Sequence, residues 1–303
     1  MLITPAYAKL NLALAVVARR EDGWHDIDSV LAPIDWHDLI GVEIGAAEAV
    51  EVSLRLSGPA ASGVPAGSDN LSVRAAHALS AAARLPLDIR IWLDKRVPHG
   101  AGLGGGSADA AAVLAAGALL LSRRGHPVDT AALHEAALAV GSDVPALLGG
   151  SACRVSGRGE LLTPINLRPL DLVVVSTVPS STAATYAAVL PQDMGGDGRL
   201  VRLVEALDED RPAPDELLGS ALEPAAVRAS AAVGDAVARV RGAVPRTSWH
   251  LTGSGGALFA LAGSELGARD LARRMHAAGF AARACRTLAS RADRPGRHYN
   301  PAS

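Results

Sequence analysis

Residues 98–108 read Pro98-His99-Gly100-Ala101-Gly102-Leu103-Gly104-Gly105-Gly106-Ser107-Ala108 and run directly into an apolar helical pattern. Five glycines in seven positions remove the Cβ atoms that would keep a backbone away from an anion. A helix that starts just behind such a loop aims unpaired N–H groups, and the positive end of its dipole, at the same spot. The chemistry this suits is binding phosphate through backbone donors, with Ser107 placed to cap the helix or to donate its hydroxyl.

Three other short segments carry groups that could work with such a loop. Lys9 and Asn11 lie two apart in a stretch of Ala and Leu and so share one face of a strand. Lys9 reads equally as an edge-strand charge or a snorkelling stem. Asp143, in Gly141-Ser142-Asp143-Val144-Pro145, is a candidate base, and locally it also reads as a helix N-cap with Pro145 in the first turn. Trp24-His25 follows the Glu21-Asp22-Gly23 turn. In a chain with only 3% aromatic residues, this pair suits stacking on a ring and hydrogen bonding to its edge, or else plugging a hairpin base.

Two familiar nucleotide loops are excluded. Gly100, Gly102 and Gly105 satisfy G-x-G-x-x-G, but Lys95-Arg96-Val97-Pro98 separates them from the preceding strand pattern, and no acid stands at 120–127, roughly 20 residues on. No G-x-x-x-x-G-K-[ST] occurs anywhere in the chain.

The elements that must hold these groups are mixed. Alternation predicts strands over about 6–16, 27–34, 39–44, 50–56 and 87–93, with a Gly/Pro/Ser-rich loop at 57–68. Ser68-Asp69-Asn70 opens a helix to about 84, and further helices are expected at 107–122 and 130–140. A buried strand at 171–177, a hairpin around Gly253-Ser254-Gly255-Gly256, a helix at 264–278 and a strand at 280–288 complete the pattern. Without regular βαβ alternation the fold class is α+β. The domains are expected at 1–155 and 156–288. The tail, 289–303, reads as solvated and disordered, its basic residues belonging to a run that begins at Arg283 and Arg286 and continues through Arg291, Arg294 and Arg297.

The 303 residues carry a net charge of −2, so no global basic field attracts nucleic acid or acidic membranes. The longest apolar run, Ala110 to Leu121, is shorter than the ~20 residues of a membrane span. Cys153 and Cys285 are far apart and lack metal-ligand spacing, which suits a reducing cytoplasm. No Asp or Glu pair stands out near the glycine loop, so no metal ligands can be named.

Taken in order, P-A-Y-A-K-L-N-L at 5–12, E-D-G-W-H at 21–25, D-N-L at 69–71, K-R-V-P-H-G-A-G-L-G-G-G-S-A-D at 95–109, V-G-S-D-V-P at 140–145 and L-T-G-S-G-G-A-L-F-A at 251–260 closely resemble the GHMP kinases. The resemblance covers about residues 2–288. It implies an N-terminal domain like the second domain of ribosomal protein S5, a C-terminal ferredoxin-like domain, and an active site between them. It further implies ATP with Mg2+ and a small-molecule substrate. The A-K-L-N-L start and the D-G-aromatic-H turn point to members whose substrate carries a cytidine diphosphate group. By the same resemblance Lys9 and Asp143 match the catalytic pair, with Asp143 accepting the hydroxyl proton and Lys9 steering the hydroxyl. Residues 98–108 match the ATP phosphate loop, with Lys95 and Asn70 near the nucleotide. Asn11, His25 and Thr182 match substrate contacts, and Trp24 and Tyr186 match the rings that clamp cytosine, Trp24 standing where Tyr is usual. Other members act on homoserine, mevalonate or sugars, which offer no base for Trp24 and His25 to grip. A catalytically inactive nucleotide-binding relative is a further alternative, against which both Lys9 and Asp143 speak.

Overall fold

The computed structural model describes residues 1–288 apart from 197 and 210. Two sheets form its frame. The first contains β1 (Leu2–Arg19), β2 (His25–Ala46), β3 (Glu51–Ser57), β4 (Leu87–Asp94), β5 (Cys153–Gly157), β6 (Leu161–Pro164) and the two-residue β8 (Gly219–Ser220). The second contains β7 (Asp171–Ser176), β9 (His250–Leu251), β10 (Ala257–Leu261) and β11 (Ala281–Arg286). Helices α1 (Leu71–Ala83), α2 (Gly105–Ser122), α3 (Thr130–Val140) and α4 (Val144–Gly149) precede β5. Helices α5 (Thr182–Ala187), α6 (Arg199–Asp208), α7 (Glu223–Ala229) and α8 (Ala231–Ala243) follow β7, and α9 (Glu265–Ala277) precedes β11.

The first sheet runs β3-β4-β2-β1-β8, with β5 on the other half of β2 and β6 outside β5. The second runs β11-β7-β10-β9 and every pair is antiparallel. Strand, helices, two strands, helix, strand in this order is the ferredoxin-like arrangement, so the α+β expectation holds. The division expected at 155 falls inside β5, which pairs with β2 from Ile27 to Leu31. The first sheet therefore continues to Pro164, and the chain changes sheets before Asp171. The strands expected at 27–34 and 39–44 are one strand, β2, whose two halves pair with different neighbours. Arg283 and Arg286, expected with the basic tail, lie in β11; the tail at 289–303 is outside the described residues.

Burial explains the layering. In β7, Leu172 and Val174 face the first sheet, meeting Leu10, Leu12, Ile34, Trp36 and Phe259. Val173 and Val175 face the other way, onto Val233, Val237, Leu271 and Met275 of α8 and α9. The period of two in one strand thus feeds two cores. On the outer face of the first sheet, Ile40, Val42, Ile89 and Ile91 pack against Leu79, Val113, Leu114 and Leu133 of α1–α3. Helix α2 is apolar almost all round because it packs between the sheet and its neighbour helices. By length and composition it could cross a membrane, yet it is mostly buried inside the protein. Residues 8–16 of β1 are buried on both faces, which removes the edge-strand reading of Lys9.

Candidate active site

Strand β1 does not pair evenly with β2. Its register shifts between Tyr7 and Lys9 and again between Asn11 and Ala13, so two bulges bracket the residues that the alternation singled out. Bulges re-aim side chains and release ladder donors. Opposite Lys9 stands Pro33, and the Lys9 N–H donates instead to Leu103 O in the glycine loop, at 2.9 Å. The strand is thereby tied to the loop.

Lys9 and Asn11 are 5% and 4% exposed, so their polar atoms require partners. Lys9 Nζ donates to Asn11 Oδ1 at 2.6 Å. Asn11 Nδ2 donates to Ser29 Oγ at 2.8 Å, which donates to Ala13 O at 2.7 Å. The Asn11 N–H donates to Thr252 Oγ1 at 2.8 Å. This chain of hydrogen bonds fixes the ammonium from behind.

The loop closes on Lys9 from the other side. Gly104 has φ +65° and precedes the first turn of α2. A Cβ at Gly104 would stand 2.8 Å from Lys9 Cγ and 2.9 Å from Lys9 Cε, so any side chain there would push the lysine stem away. Gly102, at φ +72°, lies against a second glycine turn, where its Cβ would meet Gly255 O at 2.3 Å. The two turns interlock. The second is pinned by Ser220 Oγ donating to Gly253 O at 2.7 Å, and by Ser180 and Thr185 hydroxyls donating to Ser254 O, each at 3.0 Å. Helix α2 begins at Gly105, two residues earlier than expected, with Ala108 N donating to Gly104 O at 2.8 Å. Ser107 is therefore inside the first turn and cannot cap it. The N–H groups of Gly105, Gly106 and Ser107 fall in the first turn of α2, where the helix offers no backbone acceptor, the arrangement that receives anions.

Asp143 occupies the N-cap position of α4, with Pro145 in the first turn, but its side chain makes no capping hydrogen bond. Its Oδ2 instead lies 3.3 Å from Lys9 Nζ. The lysine side chain is 6% exposed and the aspartate 37%. The ammonium is thus locked while the carboxylate faces outward, free to receive a proton from a bound hydroxyl.

Beyond Asp143 lies an aromatic side. His25 and Tyr186 rings stand 5.3 Å apart, tilted by 33°. Burial pushes the Tyr186 phenol up, with the Asp143 charge adding to it. Burial, and then Arg19, hold His25 below its ordinary range; at neutral pH its uncharged ring offers one donor and one acceptor. Thr182 Oγ1 lies 2.8 Å from Ser254 Oγ. Trp24, next to His25, is 52% exposed.

Two expected nucleotide neighbours are otherwise engaged. Asn70 caps α1, its Oδ1 accepting from Ser72 N at 2.8 Å while its Nδ2 donates to Pro65 O at 2.7 Å. Lys95 is 2% exposed, and its Nζ donates to Asp38 Oδ2 at 2.5 Å and Asp109 Oδ2 at 2.8 Å. It lies beneath the loop, 2.9 Å from where a Gly105 Cβ would sit. Asp38 Oδ1 also accepts from Arg96 N and Val97 N, at 2.5 and 2.8 Å. Burial, with Asp38 beside it, pushes the Asp109 carboxyl above its ordinary range despite Lys95. Both residues hold segments that frame the loop. Asp38, Asp109, Ser29, Thr252 and Ser254 were not among the expected site residues. The motifs at 95–109 and 251–260 contained Asp109, Thr252 and Ser254; nothing in the sequence signalled Asp38 or Ser29.

Residues 70–151 match the model of the GHMP kinases N terminal domain. A 4-diphosphocytidyl-2-C-methyl-D-erythritol kinase of Nitrobacter hamburgensis is 37% identical over 278 residues, 88% of this chain and 89% of that protein. One of Thermus thermophilus is 38% identical over 279 residues, 91% of this chain and 93% of its own. A crystal structure of a 4-(cytidine 5'-diphospho)-2C-methyl-D-erythritol kinase, 35% identical, superposes with a TM-score of 0.75 over 95% of this chain and 100% of that one. With that coverage at that identity, and a cation–carboxylate pair set against a glycine loop in the domain where the family model matches, the chain belongs to the 4-diphosphocytidyl-2-C-methyl-D-erythritol kinases of the GHMP kinase superfamily.

Proposed function

We propose that this protein transfers the γ-phosphoryl group of ATP to the 2-hydroxyl of 4-diphosphocytidyl-2-C-methyl-D-erythritol, giving the 2-phosphate and ADP in non-mevalonate isoprenoid synthesis. The observation that carries this reading is the Lys9–Asp143 pair, 3.3 Å apart, with the lysine stem laid across Gly104 at the start of α2. Phosphoryl transfer asks a protein mainly for alignment and charge neutralisation, and this arrangement supplies both.

Residues 98–108 cradle the β- and γ-phosphates through backbone N–H groups. Asp143 takes the proton from the attacking hydroxyl, and Lys9 steers that oxygen toward the phosphorus. Asn11 holds Lys9 in place. Lys95 and Asn70 act on the nucleotide indirectly, by fixing the segments around it. Among the described residues, no three His, Cys, Asp or Glu side chains cluster to hold a metal. Mg2+ suits such a site all the same, since it is commonly held by one or two carboxylates together with substrate phosphates. Ser107, in the first turn of α2, is the residue that would hold it beside those phosphates, and it would neutralise their charge. Cys153 and Cys285 are free and buried, in keeping with a reducing cytoplasm as the compartment.

The cytidyl end fits the aromatic side: Trp24 and Tyr186 offer ring faces, neutral His25 a donor and an acceptor, and Thr182 a hydroxyl. Base–aromatic stacking contributes roughly 1–3 kcal/mol. Trp24→Ala is therefore expected to raise the KM for the cytidyl substrate by about 10-fold or more and to leave the KM for ATP unchanged. Steady-state kinetics with each substrate varied in turn check this; an unaltered cytidyl KM would reduce Trp24 to a packing residue.

A further inference from the structure

Arg158 belongs to no role assigned so far. It sits in the turn between β5 and β6, its guanidinium 4.2 Å above the centroid of the Trp24 ring. Other arginines around this hairpin are committed to carboxylates: Arg20 to Asp22 and Asp26, and Arg154 to Asp28. Arg158 has no such ion pair among the described residues; Asp22, whose carboxyl senses its charge, is an indirect neighbour. An unpaired guanidinium resting on a half-exposed indole is mobile charge beside a stacking surface.

The turn is also registered to the reacting centre. Arg158 lies between Gly157 and Gly159, at φ +69° and +121°, and the Arg158 N–H donates to Glu160 Oε2 at 2.6 Å. A Cβ at Gly159 would stand 3.1 Å from Ser142 Cβ and 3.2 Å from Ser142 O. The turn bearing Arg158 thus packs on the residue immediately before Asp143. The wall so formed carries Trp24 under the guanidinium and the Asp143 segment against Gly159, so the turn that bears Arg158 links the stacking ring to the segment of the carboxylate.

A ligand that presents an aromatic ring to Trp24 and two phosphates to a cation fits that wall, and a nucleoside diphosphate has both. Resting on the function proposed above, we propose that Arg158 is a specificity residue: it gives up the Trp24 face when the pyrimidine enters and pairs with the substrate's diphosphate. The planar fork of arginine matches phosphate oxygens in a way lysine cannot. Arg158 thereby selects a diphosphorylated nucleoside over the bare nucleoside.

Isothermal titration calorimetry with two probes, CDP and cytidine, tests this on the full chain. Wild type is expected to bind CDP more tightly than cytidine. Arg158→Ala is expected to weaken CDP about 10- to 100-fold while cytidine binds as before or slightly tighter, so the CDP preference collapses. Arg158→Gln keeps a planar group over Trp24 and loses the charge; it should behave like the alanine variant, whereas Arg158→Lys should keep part of the preference. A CDP-to-cytidine ratio unchanged in both Arg158→Ala and Arg158→Gln overturns the proposal and leaves the kinase reading intact. Wild type that binds neither probe overturns the cytidyl reading, and this proposal with it. Matching thermal melts of the variants exclude misfolding, which an exposed turn position makes a minor concern.

Discussion

Asp143→Asn is expected to lower kcat by about 10^2- to 10^4-fold, the usual contribution of a positioned general base, with the KM for ATP little changed. The substitution keeps the size and planarity of the side chain and removes only its basicity. Nothing else about Asp143 should suffer, because the carboxylate makes no capping bond to α4 and, among the described residues, forms an ion pair with Lys9 alone. At 37% exposure the pair is screened by water, so the stability change should stay within about 1 kcal/mol. ATP binding depends on residues 98–108, which reach the site on a different segment. A fall in kcat with an unmoved ATP KM marks a group used in the transition state rather than in ground-state binding. A rate near that of the wild type would remove Asp143 from the base role.

Lys9→Met has the second large expected effect, a kcat loss on the order of 10^2- to 10^3-fold, as for removal of one preorganised donor facing developing charge. Methionine retains an unbranched stem that can lie across Gly104, so the loop need not move. It does leave Asn11 Oδ1 without the 2.6 Å donor it has in the native protein. An unsatisfied buried acceptor costs about 1–3 kcal/mol, so a lower melting temperature should accompany the kinetic loss. The two effects separate in a double-mutant cycle. If Lys9 and Asp143 act as a unit on one hydroxyl, Lys9→Met combined with Asp143→Asn should cost little more in kcat than Asp143→Asn alone. Fully multiplicative losses would mean that the two side chains act independently.

What the sequence could reveal of this site divides by range. The glycine loop, the Asn70 cap and the helix at 130–140 are local, since backbone conformation and capping depend on neighbours in the chain, and they were legible. The start of α2 was not, because glycine is a poor helix former. Gly105 is helical on account of what surrounds it: a Cβ there would meet Lys95 Nζ at 2.9 Å and Val97 at 3.2 Å. Strand β2 read as two stretches because Pro33, Asp35 and His37 interrupt its apolar pattern. Pro33 marks the bulged region where the β1 ladder gives way to the glycine loop. Strands β5 and β6 are five and four residues long, too short for a period of two to stand out.

The long-range partners were the least visible. Asp143 has the sequence signature of an N-cap, and only the fold shows its carboxylate turned away from α4 toward Lys9. Asp38 looks like an ordinary surface acid along the chain, and Asp109 closes the glycine motif without any sign of its partners. Their burial around Lys95, and so the support they give the loop, comes from β2 and α2 meeting in space. Arg158 was hidden for the same reason, since a polar residue between two glycines reads as a solvated turn.

The central claim, ATP-driven phosphorylation of a cytidyl-bearing polyol at this site, is tested most directly by ADP release from purified protein. The same assay is run with 4-diphosphocytidyl-2-C-methyl-D-erythritol, homoserine and mevalonate, each with ATP and Mg2+. Rapid ADP formation with the cytidyl substrate alone, accompanied by a new phosphomonoester signal in 31P NMR, is the predicted result. Turnover of homoserine or mevalonate with an inert cytidyl substrate would contradict it.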